Sequence, residues 1–238
     1  MNKQFENDNF VLYQPDSLNM ITEGMEEILN SSLELYKKIF DVNDFRKITI
    51  NYFDDIKLFR EFIYNIRGEK ESLPSYAIGT FDKGMINACI NVDKNNIVKN
   101  KNKVLFMASH ELFHIMYKEL ILKKENMKRI TWFDEGMAKF FSGESNYILN
   151  DENFIKWVKE LRENTNIIPN LNNINHGESF RNDNYNGYDL SLLVVKYMYD
   201  TLGIKKFKKS MHDTETIYKY GNMLNDIFDY YLEKNLSK

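Results

Sequence analysis

The run Lys103–Leu122, KVLFMASHELFHIMYKELIL, constrains the fold more than any other stretch of the chain. Val104, Leu105, Phe106, Met107, Ala108, Leu112, Phe113, Ile115 and Met116 fall at almost every angle around a helix. A helix that is apolar all round is buried. Yet this one carries His110, Glu111 and His114, and burying such groups without partners is costly. Positions four apart share a helix face, so His110 and His114 can aim their imidazoles at one point. Glu111 projects about 100° away, near enough to reach something bound at that point. One cation there would satisfy the whole set, the histidines fixing the metal and the glutamate handling a proton. The competing reading is a metal-free structural helix.

Two kinds of periodicity flank this helix. Phe10–Gln14 (FVLYQ) and Lys47–Phe53 (KITINYF) read as strands. Ser75–Phe81 and the run from Met85 (MINACINV) flank Asp82–Gly84, where a glycine can supply a positive φ, so they predict a hairpin. Between the strands, a long amphipathic helix is expected from Asp16 or Ser17, with Met20, Met25, Ile28, Leu29, Leu35 and Ile39 near one face. A second helix is expected to stop at Gly68. After Asn102 the pattern is helical to the end, with Asp151 as the expected cap of DENFIKWVKELREN and a polar loop from Asn164 to Asn184. The prediction is an α+β chain. Residues 1–100 form a mixed α/β half with a small sheet and an edge hairpin. Residues 101–238 form an all-helical half carrying the ligand candidates. The two make one compact catalytic unit with the metal cleft between them, and the first apolar helix packs under the sheet. With 238 residues, 43% of them hydrophobic, there is enough material for a large core, and 10 glycines and 3 prolines leave no room for a flexible linker.

Charge and cysteine content remove several classes. The net charge is −3 and both signs are interspersed, so nucleic acid is not an expected partner. KENMKR (Lys124–Arg129) and GIKKFKKS (Gly203–Ser210) read as solvated helix ends. No run reaches membrane-spanning length, and the first residues lack an apolar segment. A cytoplasmic protein is therefore expected, although a secreted one whose export signal had been removed would read the same. The single cysteine, Cys89, sits in an apolar alternating run and reads as a buried strand residue, not a nucleophile.

A catalytic zinc takes three protein ligands, and Thr131–Phe141 (TWFDEGMAKFF) offers Glu135, with Asp134 as the rival carboxylate. HELFH followed by Trp132, Glu135, Gly136 and Ala138 resembles the gluzincin zinc metallopeptidases and their peptidase MA-like domains. FVLYQPDS, KITINYF and GYDLSLLVVKYMYDTLGIKKF resemble corresponding parts of those domains. The resemblance implies Zn2+ held by His110, His114 and Glu135, Glu111 as general base, and a peptide or protein substrate. It further implies that Tyr188, which opens the late helix, assists catalysis. Tyr185 and His176 are the other candidate oxyanion donors, and His212 reads as solvated. The resemblance also suggests that an extended peptide pairs with an edge strand, for which MINACINV is the candidate and Asn87 and Asn91 the rim. Two patterns do not fit. Lys139 stands where the thermolysin type has an aspartate, and no glycine and third histidine follow His114 as a metzincin needs. An inactive or single-partner regulatory protein on the same scaffold remains the alternative to a general peptidase.

Overall fold

Two apolar strands pairing in parallel need a crossover between them, and the intervening segments supply helices for it. In a computed structural model that describes residues 1–68, 73, 77–90, 97–174 and 179–233, β1 (Asn2–Glu6) pairs antiparallel with β2 (Phe10–Gln14). β2 pairs in parallel with β3 (Ile48–Phe53), and β3 with β5 (Met85–Cys89). β4 (Gly79–Asp82) closes the row as the antiparallel neighbour of β5, giving the order β1-β2-β3-β5-β4. The chain divides into two compact units, Met1–Met116 and Tyr117–Lys238, and is mixed α/β with its C-terminal region helical.

In the first unit, the short helix α1 (Asn19–Thr22) precedes α2 (Met25–Phe40), which forms the β2–β3 crossover. The single long helix expected here is broken at Gly24, whose φ of 87° no helix tolerates. The buried stripe of α2 is Met25, Leu29, Leu33, Tyr36 and Phe40, whereas Leu35 faces solvent. Asp55 caps α3 (Ile56–Arg67) by accepting from the Lys57 and Leu58 amides, and α3 ends on Gly68 as expected. Phe59 and Ile63 of α3 pack on Phe53 and Cys89. The hairpin turns on Lys83 and Gly84, both with positive φ, as the DKG signal predicted. One expectation is corrected: β5 is paired on both sides, so the edge strand is β4, and Asn87 is fully buried instead of lying on a rim. Asn91 lies outside the described residues. The apolar helix α4 (Ile97–Tyr117) packs on α2, with the Phe113 ring 5.2 Å from Tyr36 and 5.3 Å from Phe40. A buried hydroxyl chain fixes the contact, Ser32 Oγ to Ser109 Oγ at 2.7 Å and on to the Tyr36 hydroxyl at 2.8 Å.

The second unit is built around α5 (Thr131–Phe141). After α6 (Asn146–Leu149) comes α7 (Asp151–Glu163), capped by Asn150 in place of the expected Asp151. The polar loop holds a tiny hairpin of β6 (Arg181–Asn182) and β7 (Tyr185–Asn186). α8 (Gly187–Ser210) packs along α5 and kinks at Gly203. The final helix splits into α9 (Thr214–Gly221) and α10 (Leu224–Glu233). Among the described residues no helix is long and apolar enough to cross a membrane.

Candidate metal centre

His110 and His114 lie one turn apart on α4, and their Nε2 atoms stand 3.0 Å apart. Ligands at about 2.0–2.1 Å from a tetrahedral zinc are separated by roughly 3.3–3.4 Å. The pair therefore needs only a few tenths of an ångström to hold one ion. The ligand atoms of His110, His114 and Glu135 all lie within 4.8 Å of one another, a set of two imidazoles and one carboxylate. That is the donor chemistry of a catalytic zinc site with one position left for water. Asp134, the rival carboxylate, is not in this group.

Glu111 is nearly buried. A Cβ built on Gly79 would lie 2.7 Å from Glu111 Oε1, so a side chain at this point of β4 would push the carboxylate end aside. The fully buried Tyr52 hydroxyl has its pKa raised, first by burial and further by the Glu111 carboxylate, and it hydrogen-bonds the Ala108 backbone. The phenol is thus neutral beside Glu111. The Phe81 ring, also on β4, lies 6.0 Å from the His114 ring.

In the second unit, Arg129 forks between two acids. Its Nε donates to Asp134 Oδ2 and its Nη2 to Glu135 Oε1 at 2.7 Å. Burial works against the Arg129 charge, but Asp134 and Glu135 outweigh it and raise the guanidinium pKa. The sequence reading missed this residue because Arg129 ends a basic cluster that looks solvated. The available signal was an arginine five and six positions before adjacent acids at a helix start. Lys139, at the departure from the thermolysin pattern, pairs with Asp189 on α8 at 2.7 Å.

Tyr188 opens α8 behind the Asn186 cap, half-buried, with Phe180 packed edge-on 4.7 Å from its ring. Tyr185 donates its hydroxyl to the Ser179 carbonyl at 2.9 Å, a bond that closes the small hairpin. Gly187 serves close approach here, since a Cβ would lie 2.4 Å from the Phe180 carbonyl oxygen. His176 lies outside the described residues. His212 pairs with Glu125. Cys89 is fully buried, and burial pushes its thiol up to about 11, with Asp55 and Asp54 adding to the effect. That is the profile of an inert thiol.

Compared with known proteins, the chain matches no family model and no curated protein.

Proposed function

We propose that the protein is a zinc metallopeptidase of the gluzincin type, with His110, His114 and Glu135 holding the metal and Glu111 acting as general base. The observation that carries this reading is the grouping of those three side chains' ligand atoms within 4.8 Å. Zinc bound there would polarise a carbonyl and bring the pKa of a water down toward 7. Glu111 would serve as the base that accepts a proton from the attacking water and returns it to the leaving amine. An extended peptide would add to the outer edge of β4, because β5 already has both neighbours. Tyr188 is the donor assigned to the developing oxyanion.

The test is metal analysis joined to a cleavage profile on a peptide library. About one zinc per chain is expected, with activity lost and zinc bound much more weakly, though still measurably by the remaining ligands, in His110→Ala, His114→Ala or Glu135→Ala. A chain that binds no divalent metal would sink the reading. Glu111→Gln is expected to keep zinc while losing about 10²–10⁴-fold in turnover, because an amide cannot accept the proton. Near-normal hydrolysis by that variant would remove Glu111 from the mechanism.

A further inference from the structure

Resting on the zinc reading, the geometry points to Arg129 and Asp134 as a positioning pair that aims Glu135 at the metal. Asp134 and Glu135 are neighbours on one helix, yet their environments differ. The Asp134 side chain is 3% exposed, and a buried carboxylate of that kind requires a compensating charge. Arg129 supplies it from the segment just ahead of α5, through Nε. That bond orients the planar guanidinium, and the second arm of the fork then meets Glu135 Oε1 at 2.7 Å. A guanidinium is suited to this because its donors are fixed relative to one another, so anchoring one places the other. With Oε1 held by Arg129, the guanidinium sets the direction of the carboxylate that would meet a cation. Asp134 is thus no ligand. It acts on Glu135 through Arg129.

The sign of the effect separates positioning from plain electrostatics. A positive charge beside a cation site repels the cation, so its removal tightens binding by Coulomb's law alone. Positioning gives the opposite result, because a freed Glu135 must be ordered again each time metal binds. The experiment measures zinc affinity of the full chain by competition with a chromophoric chelator, and metal-free thermal unfolding alongside. Arg129→Ala strands a buried carboxylate and threatens the fold, so the deciding variant is Arg129→Ala/Asp134→Asn. It removes one charge of each sign, so the two Coulomb changes largely cancel and electrostatics alone leaves zinc affinity near that of the parent, and it leaves Asp134's shape in place. Its metal-free unfolding temperature is expected to stay near that of the parent, while zinc binding weakens by about 10–100-fold. In a Glu135→Ala background the same pair of changes is expected to have no further effect, since the side chain being aimed is gone. Zinc binding by the double variant at or above parental strength would overturn the assignment. So would an equal loss in the Glu135→Ala background. A parent chain without zinc would instead fail the metallopeptidase reading itself, and a Glu135→Ala chain with full zinc affinity would fail its third ligand.

Discussion

Gly136→Ala probes the joint between α5 and α8 on which the placement of Glu135 depends. In an ordinary helix interior this change is stabilising by about 1 kcal/mol, because alanine loses less backbone freedom. Here a Cβ would stand 2.5 Å from the Ser191 carbonyl oxygen and 2.8 Å from both the Ser191 carbonyl carbon and Val195 Cγ2. Comfortable carbon contacts lie at roughly 3.5–4.0 Å, so α5 must back away from α8 by about 1 Å. Two of the three obstructing atoms are backbone and cannot swing aside. Overpacking of this kind costs about 1–3 kcal/mol. Because the obstruction at 2.5 Å is backbone, the cost falls in the upper part of that range, about 2–3 kcal/mol, and against the propensity gain the net is a loss of about 1–2 kcal/mol. For a chain of this size that corresponds to a drop of about 2–8 °C in Tm. Thermal unfolding followed by far-UV circular dichroism, with a chelator present so that bound metal adds nothing, reads it directly. An unchanged or raised Tm would refute the close helix contact, since propensity alone would then decide the sign.

Tyr188→Phe is expected to keep the fold and the zinc while lowering kcat by about tenfold or more, on the order of 1.4 kcal/mol of transition-state stabilisation. Tyr185→Phe, which loses only the bond to the Ser179 carbonyl, is the control, and a kcat loss confined to it would exchange the two roles. Cys89 is expected to resist a thiol reagent at pH 8 in the native chain and to react promptly in denaturant; rapid native labelling would contradict its burial. Because its thiol is raised to about 11 in the fold from an ordinary 9.0, its contribution is intact below pH 9 and is lost as pH rises through 11. Cys89→Ala should therefore flatten the fall in Tm over that window.

Local chemistry was readable where one or two residues decide an element. The DKG turn, the Gly68 stop and the burial of Cys89 each follow from a requirement of glycine or of an apolar run. The breaks at Gly24 and after Gly221 were not readable, because the apolar spacing continues across both and only the backbone angle or the next packing partner ends the helix. β1 was missed for a different reason: Asn2–Glu6 is an exposed polar strand held by its pairing with β2, and its sequence has no buried face to advertise. Strand order is a property of the whole sheet. Ser75–Phe81 and MINACINV look alike as strands, and only pairing made β5 interior. Its unbroken buried run is the signature of a strand covered on both faces. Arg129 was hidden by its charged neighbours, since local composition does not tell a solvated arginine from one folded back onto a buried aspartate.

The pattern Trp-x-x-Glu-Gly-x-Ala divides, in this chain, into one chemical demand and three mechanical ones. Trp132 is fully buried and donates its Nε1–H to Asn172 Oδ1 at 3.0 Å, and Asn172 in turn donates to the Tyr218 carbonyl. Gly136 is required by the backbone of Ser191, and Ala138 has no exposed surface. Only Glu135 carries a group that a cation would use. The three packing residues therefore make the resemblance specific without speaking to chemistry. A protein needing two helices this close could keep all three and hold no metal. The functional weight falls on Glu135 lying near His110 and His114, and on Arg129 holding its carboxylate. For that reason the zinc affinity of the Arg129 and Asp134 variants tests the function more directly than any further likeness between sequences.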